Sequence, residues 1–462
     1  MVHRFTNNGY NIVMDINSGA IHVVDPVTYD LIGLYKELSP DEVRKQTGEL
    51  HPEISTEEIA QIYDEVRELE ISGDLFTPDP YEEKVKDYTK RPTVVKALCL
   101  HVAHDCNLAC KYCFAEEGEY HGGHRELMSL EVGKAALDFL IENSGSRHNL
   151  EVDFFGGEPL MNWDVVKQLV HYGRSREEET GKHFRFTLTT NGVLLSDEVI
   201  DFANKEMDNI VLSIDGRKEL NDKMRPFRGG KESTYERIVP RFQKVAESRN
   251  QERYYARGTF TRYNKDFAND VLHLADLGFK QISVEPVVAH ETDDYAIRPE
   301  DVPDLLNEYD RLAGEMLQRM GTDKDFNFFH FMIDLEGGPC VYKRLSGCGS
   351  GTEYLAVTPT GELYPCHQFV GETEFMLGDV FTGVKKTDIV QKFKGANVYS
   401  RPACRDCFAK YYCSGGCAAN AYNFTGDILG NYEVGCQLQR KRVECAIMLK
   451  AAAQSDGPDS DN

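Results

Sequence analysis

The amino-acid sequence predicts an α/β protein whose central unit is a parallel sheet or an open barrel. Six β-prone runs alternate with amphipathic helical stretches between residues 94 and 330, the pattern of repeated βα units. A hairpin pattern followed by helical patterns occupies residues 1–76, and residues 331–450 contain most of the cysteines. These observations predict a front unit, a linker at 77–93, the central unit, a cysteine-rich unit and a disordered acidic tail at 451–462.

The front unit reads as a small separate domain of winged-helix type. Tyr10–Asp15 and residues 20–25 are β-prone runs on either side of residues 17–19, Asn-Ser-Gly, which are typical of a hairpin turn. Ser39 and Ser55 each begin a capping box, so two helices are expected after the hairpin.

The central unit is predicted to contain six parallel strands, with amphipathic helices at 130–143, 165–175 and 266–277 between some of them. Because functional residues of such sheets gather at the carboxyl ends of the strands, candidate site residues are expected there. The predicted strands are residues 94–102, 150–155, 184–190, 209–214, 254–260 and 281–287.

The charge balance excludes some classes of partner. Lys and Arg total 52 and Asp and Glu total 76, a net charge of −24, so nucleic acid is not an expected partner. No apolar run is long enough to span a bilayer and the chain does not start with a signal-peptide core. We therefore expect a cytoplasmic protein without a membrane partner.

The thirteen cysteines are the main compositional anomaly. Their odd number, and the reducing compartment expected for this chain, favour metal ligation or redox chemistry over a disulfide scaffold. Three lie within eight residues, and eight more lie between residues 340 and 436. Cys99 and Cys445 fit neither group and are expected to be small buried side chains.

The first group, CxxxCxxC, directly follows the first predicted strand of the central unit. Three thiolates at this spacing can hold three irons of a 4Fe–4S cluster and leave the fourth iron open to a small chelating ligand. A zinc site is the alternative, with His101 or His104 as the fourth ligand. The group consists of Cys106, Cys110 and Cys113.

The second group has two parts. Cys348 and Cys366 flank Gly361 as Cx12GxxxxC, and a CxxCx5CxxxC run with one later cysteine follows. Two zinc knuckles are the alternative to iron–sulfur clusters here. The later cysteines are Cys404, Cys407, Cys413, Cys417 and Cys436.

The first group resembles the cluster motif of radical S-adenosylmethionine (SAM) enzymes, in which an aromatic residue, here Tyr112, precedes the last cysteine. This resemblance implies a partial (β/α)6 barrel and a set of SAM contacts. Gly156, Gly157 and Glu158 match the motif that holds the methionine amino group, Ser213 the ribose contact and Arg257 the partner of the methionine carboxylate. Further lining residues of the same cavity would be Thr189, Thr190 and Asn191.

The second group resembles the SPASM extension of radical SAM enzymes, which holds two auxiliary 4Fe–4S clusters. The resemblance implies three 4Fe–4S clusters in all, together with SAM. Two such clusters have eight ligand positions, and Cys340 is a candidate for the eighth. Without Cys340, the auxiliary cluster nearer to the SAM cluster has an open iron that could bind a substrate thiolate. Both options stay open. The nearer cluster would be held by Cys348, Cys366 and Cys417, and the farther one by Cys404, Cys407, Cys413 and Cys436.

Over nearly its whole length the chain is most similar to maturases of cysteine-rich SCIFF peptides, which make sactipeptide- or ranthipeptide-type thioether crosslinks. The stretches that carry this similarity are residues 100–108, 153–159 and 345–354. The front unit resembles the PqqD-like recognition element, which implies a precursor peptide whose leader binds as an added strand. The acidity of this unit suggests a leader peptide with basic residues, or only that the acidic helices face solvent. An electron donor such as flavodoxin or ferredoxin is also implied.

The implied reaction is the formation of a bond between a cysteine sulfur and a carbon of the peptide, after a 5′-deoxyadenosyl radical has removed a hydrogen atom. No catalytic side chain is assigned. One alternative is an anaerobic sulfatase maturase, which makes formylglycine; that family has an Asp directly after the GxxxxC cysteine, where this chain has His367. The other is a non-enzymatic iron–sulfur electron carrier.

Overall fold

A computed structural model describes residues 1–120, 124–335 and 340–455. It contains an eleven-stranded sheet and a three-stranded sheet. The α/β class predicted from the sequence is confirmed, and all six predicted strands of the central unit are present with bounds that differ by a few residues. No helix in these three ranges is long and apolar enough to cross a membrane.

The front unit is an antiparallel sheet of order β1-β2-β3 with three helices. The predicted hairpin at residues 17–19 is confirmed, although its second strand is shorter than residues 20–25. The first strand was not predicted. The elements are β1 Val2–Asn7, β2 Tyr10–Asp15, β3 Ile21–Val23, α1 Pro26–Leu34, α2 Pro40–Leu50 and α3 Thr56–Ser72.

The front unit is not separate from the rest of the chain, which corrects the expectation of an independent domain. Val13 packs against the helices of its own unit, whereas Ile12 and Met14 on the opposite face of β2 belong to the main core, together with Phe5. Successive side chains of a strand point to opposite faces, so a run of three buried apolar residues means that both faces are covered.

The predicted linker is also structured and anchored. It contains α4, Val85–Lys90, and before that helix Asp79 accepts hydrogen bonds from the hydroxyls of Tyr399 (2.8 Å) and Tyr411 (3.0 Å). Lys410 donates to the same carboxylate at 2.7 Å, and its side chain is only 2 % exposed. The linker is therefore tied to the cysteine-rich unit.

We expect the substitution Asp79→Asn to lower the free energy of unfolding by about 3 kcal/mol, because the buried ammonium of Lys410 loses its charged partner. Urea unfolding of the cluster-loaded chain measures this change. The matched control is Glu82→Gln at the pair with Arg405, whose side chains are 42 % and 57 % exposed, and it should cost under about 1 kcal/mol. Equal effects of the two substitutions would contradict this account of the linker.

The central unit has six parallel strands in consecutive order. Helices connect them, as the alternating pattern predicts. The strands are β4 Ala97–Ala103, β5 Asn149–Gly156, β6 His183–Thr190, β7 Asn209–Ser213, β8 Tyr254–Phe260 and β9 Gln281–Pro286; the helices are α5 Leu130–Asn143, α6 Trp163–Thr180, α7 Asp197–Glu206, α8 Lys218–Met224, α9 Thr234–Ser248, α10 Ala268–Asp276 and α11 Val302–Arg319.

The central sheet is extended at both edges, by β10 from the end of the central unit and by β11 to β14 from the cysteine-rich unit. The strand β10 is parallel to β9, and β11 is parallel to β4 and continues into an antiparallel meander. The strands are β10 Asn327–Phe328, β11 Tyr354–Val357, β12 Glu362–Tyr364, β13 Gly378–Asp379 and β14 Gly383–Val384; the helices are α12 Val341–Ser346, α13 Thr387–Gly395, α14 Pro402–Arg405, α15 Lys410–Cys413, α16 Ala418–Thr425 and α17 Glu433–Ser455.

The long helix α17 corrects the predicted start of the tail, because residues 451–455 are helical. It packs against α11 and β1, and its residues Ala451 and Ala452 are buried, so tertiary contacts stabilise the end of this helix. The rest of the predicted tail, 456–462, lies outside the described residues. Cys99 and Cys445 are fully buried, as expected.

Candidate active site

A cavity of about 300 Å³ lies at the carboxyl ends of the central strands. The first cysteine group and all the predicted contact residues of the barrel line this one cavity, although they come from five separate stretches of the chain. They are Cys106, Cys110, Tyr112, Cys113, Gly156, Gly157, Glu158, Thr189, Thr190, Asn191, Ser213 and Arg257.

The cysteine loop is held by backbone hydrogen bonds on both sides. Ala109 N donates to Pro226 O and Lys111 N to Met224 O, each at 2.9 Å. Below the loop, the Tyr112 hydroxyl donates to Asp215 at 2.7 Å and accepts from Arg225 Nη1 at 2.8 Å. The aromatic ring before the last cysteine therefore anchors the loop to the sheet.

The two glycines before Glu158 are required by a close approach of the chain to itself. A Cβ on Gly156, whose φ is +128°, would lie 2.3 Å from Ala103 O, and one on Gly157 would lie 2.2 Å from Asp105 O. Gly157 N donates to Ala103 O at 2.7 Å. The pair thus fixes the segment that leads into the cysteine loop.

Glu158 is fully buried, and its carboxylate joins the ends of β5 and β6. It accepts hydrogen bonds from Thr190 Oγ1 and Asn191 N, both at 2.7 Å, and from Leu160 N at 3.0 Å. Burial raises the pKa of Glu158 to about 7, although these donors oppose the rise. Asn191 Nδ2 in turn donates to the Asn107 side chain at 2.7 Å and so reaches the cysteine loop.

Arg257 takes part in a charged network at the far side of the cavity. Its Nη2 donates to Glu285 Oε2 at 2.9 Å. Burial would raise the pKa of Glu285, but Arg257, His330 and Arg442 lower it to about 2, so this carboxylate is charged. Burial lowers the pKa of His330 to about 3, which leaves that imidazole neutral at ordinary pH.

Three charged lining residues were not predicted from the sequence: Asp153, Arg225 and Glu285. Asp153 and Glu285 lie near the ends of β5 and β9, where the strand-end rule could have pointed to them. Arg225 follows α8 and carries no motif.

The chemistry of the donor set fits a negatively charged thiolate-bound cluster. Burial raises the pKa of Cys110 to about 12, and the buried guanidinium of Arg225 opposes this rise. Within the described part of the chain, Arg225 Nε is buried and has no hydrogen-bond acceptor. A cation with a free donor below three thiols is a suitable environment for a cluster whose thiolates carry negative charge.

The second group of cysteines falls into two sets, and within each set the thiols raise one another's pKa. Burial and then the neighbouring thiols Cys417 and Cys348 raise the pKa of Cys366. Burial raises the pKa of Cys413 to about 12, and the further causes are its neighbours Cys436, Cys404 and Cys407. These sets are the ones that the SPASM resemblance implies. Their role as ligands stays a prediction.

Cys340 is exposed and follows residues 336–339, which lie outside the described ranges. Its place in the nearer cluster stays a prediction. In residues 1–120, 124–335 and 340–455, no three His, Cys, Asp or Glu side chains converge as ligands of a single ion. A 4Fe–4S cluster does not require such convergence, because each thiolate binds a different iron.

Part of the central unit matches a known protein family. Residues 100–254 match the radical SAM superfamily. A serine-type anaerobic sulfatase-maturating enzyme of Bacteroides thetaiotaomicron is 24 % identical over 70 % of this chain and 82 % of its own length.

Two solved structures share the fold. The enzyme anSMEcpe with bound AdoMet and the Cp18Cys peptide has a TM-score of 0.63 and 18 % identity, covering 78 % of this chain and 99 % of its own. SuiB of Streptococcus suis bound to S-adenosylmethionine has a TM-score of 0.52 and 15 % identity, covering 91 % and 95 %.

Proposed function

We propose that this chain is a radical SAM enzyme that forms thioether crosslinks in a ribosomally synthesised, cysteine-rich precursor peptide. The match of residues 100–254 to that superfamily and the fold shared with anSMEcpe and SuiB support the proposal. The observation that carries the proposal is the shared cavity. Its walls include the first cysteine group and also His367 and Gln368, which directly follow Cys366 of the nearer auxiliary set. A carbon radical and a thiolate could therefore meet in one space.

In this proposal Cys106, Cys110 and Cys113 hold a 4Fe–4S cluster whose open iron binds SAM. When bound, the two cofactors supply a 5′-deoxyadenosyl radical that removes a hydrogen atom from the peptide. Glu158 would accept the methionine amino group. Arg257, kept in place by Glu285, would pair with the methionine carboxylate.

Other lining residues would orient the nucleoside and exclude water. Ser213 would contact the ribose, and Thr190 and Asn191 hold Glu158 in its position. Phe114 and Phe155 form an aromatic wall with His367, at centroid distances of 5.5 and 5.2 Å from the imidazole. Such a wall protects a reactive carbon radical from solvent.

The auxiliary clusters would receive the surplus electron and position the substrate sulfur. Cys348, Cys366 and Cys417 would hold the nearer one, either with Cys340 or with an open iron for the peptide thiolate. Cys404, Cys407, Cys413 and Cys436 would hold the farther one. Asn431 Nδ2 donates to Cys404 Sγ at 3.3 Å, a contact that orients this ligand.

The front unit offers a place for the leader peptide. The order β1-β2-β3 leaves one side of β3 unpaired, which is the arrangement that accepts an added strand. Val24 N donates to Asn11 O and Asp15 N to Ala20 O, so the alternation directs the backbone N–H groups of Ile21 and Val23 outward. A flavodoxin or ferredoxin would supply the electron.

A sulfatase maturase remains the second candidate, because the Bacteroides relative carries that activity in its name. The position after the GxxxxC cysteine argues against it. His367 is there, its Nδ1 lies 3.1 Å from the Tyr354 hydroxyl, and burial lowers its pKa to about 4. A neutral imidazole replaces the carboxylate of that family's motif.

The proposal predicts about twelve iron atoms with matching sulfide per reconstituted chain, because three 4Fe–4S clusters require them. Iron and acid-labile sulfide assays after anaerobic reconstitution measure this content. About four iron atoms with zinc would retain the SAM site and contradict both auxiliary clusters.

A further inference from the structure

The cavity is lined by three carboxylates, and two of them are already engaged. Glu158 accepts three hydrogen bonds from the ends of the neighbouring strands. Glu285 is paired with Arg257 at 2.9 Å. The acceptor positions of Glu158 are therefore occupied, and Glu285 stays ionised beside Arg257 because its pKa is lowered to about 2.

Asp153 is the third carboxylate, and it is largely free. It lies on the face of β5 that also carries Phe155 and lines the cavity. Its Oδ1 accepts one hydrogen bond, from Thr189 Oγ1 at 3.1 Å, and no other donor reaches the carboxylate within the described ranges.

The groups around Asp153 bring the pKa of its carboxyl close to neutral pH. Burial raises its pKa to about 7, while the Thr189 hydroxyl and the guanidinium of Arg257 oppose the rise. From β4 and β11 it faces Cys99 and Tyr354, whose own pKa values burial raises well above their usual range. Both are therefore neutral, and Arg257 is the charged neighbour.

We propose that Asp153 is the base that accepts the thiol proton of the substrate cysteine as the thioether forms. The S–H bond breaks, an O–H bond forms on the carboxylate, and the electron pair stays on sulfur, which then bonds to the carbon radical. The step leaves one surplus electron, which an oxidised auxiliary iron–sulfur cluster of the proposed function would accept. This inference rests on the proposed function.

The position of Asp153 suits this role. On one side it has Arg257, the residue assigned to SAM, and on the other Tyr354, whose hydroxyl lies 3.1 Å from His367 next to Cys366. A base works best when its pKa is near the working pH, and among the three carboxylates only Asp153 combines that property with free hydrogen-bonding capacity.

The test compares Asp153→Asn and Asp153→Glu, each with clusters reconstituted and the iron content measured. The readout is thioether product per 5′-deoxyadenosine, with a SCIFF-type precursor peptide as probe. We expect the ratio to fall about a hundredfold in Asp153→Asn and to recover in part in Asp153→Glu. The matched control is Glu151→Gln, an exposed carboxylate two residues earlier on the same strand, which should leave the ratio unchanged.

A second variant separates proton transfer from a structural role. Thr189→Val removes a hydrogen bond that lowers the pKa of Asp153. The pH below which the crosslinking rate falls should therefore rise. Infrared difference spectra of the wild-type chain against Asp153→Asn should show a carboxyl band that titrates near pH 7.

An unchanged product ratio in Asp153→Asn, or no titrating carboxyl band, would overturn the role of Asp153 while the thioether activity stands. A wild-type chain that cleaves SAM but forms no thioether would instead overturn the proposed function and this inference together.

Discussion

The triple substitution Cys106→Ala, Cys110→Ala and Cys113→Ala is expected to abolish SAM cleavage and to leave leader binding intact. The reason is chemical, because without these thiolates the cluster that gives an electron to SAM has no ligands. The front unit, which would bind the leader, packs through β1 against α17. Release of 5′-deoxyadenosine under dithionite measures cleavage, and fluorescence anisotropy with a labelled leader measures binding.

An iron assay and a control variant make this test specific. Iron per chain should fall by about a third, because the proposed function assigns one of three clusters to these cysteines. The matched control is Cys445→Ala, a buried cysteine outside both motifs, which should keep the iron content and the cleavage rate. Cleavage that persists in the triple variant would refute the assignment of the first cysteine group.

The second large effect is expected from Val23→Pro at the open edge of β3. Proline removes an outward N–H group and keeps the bonds between β2 and β3, so it blocks an added strand without breaking the sheet. Losing this hydrogen bond and its neighbours should cost about 2 kcal/mol, roughly thirtyfold in leader Kd. Crosslinking should fall with it, whereas SAM cleavage without peptide continues.

The matched control is Val23→Thr, which keeps the N–H group and the β-branched shape at this 47 % exposed position. Leader binding as strong in Val23→Pro as in Val23→Thr would show that the leader docks elsewhere. A deletion of residues 1–76 is a poorer test, because Phe5, Ile12 and Met14 belong to the main core.

The sequence predicts the central unit well because its strands are long and alternate with helices. Prediction from the sequence fails where the elements are short or where a contact joins residues that are distant along the chain. The first strand was missed although Asn8 and Gly9, with φ of 45° and 86°, form a turn between β1 and β2. The strands β10 to β14 have only two to four residues, too few to show a period.

The sequence predicts the site residues that belong to motifs and misses those that do not. Every motif residue of the barrel lines the cavity. Arg225 and Glu285 act through charge on neighbours that are distant in sequence, and such contacts leave no spacing pattern. The anchoring of the linker by Lys410 was missed for the same reason, since Asp79 lies 331 residues away along the chain.

The most direct measurement is the mass of a SCIFF-type precursor peptide after incubation with the reconstituted chain, SAM and a reductant. Thioether formation predicts a product two hydrogens lighter for each bond, with that cysteine no longer alkylated and its sulfur joined to another residue in fragment spectra. A peptide that keeps its mass while 5′-deoxyadenosine accumulates, or a cysteine converted to formylglycine, would contradict the account.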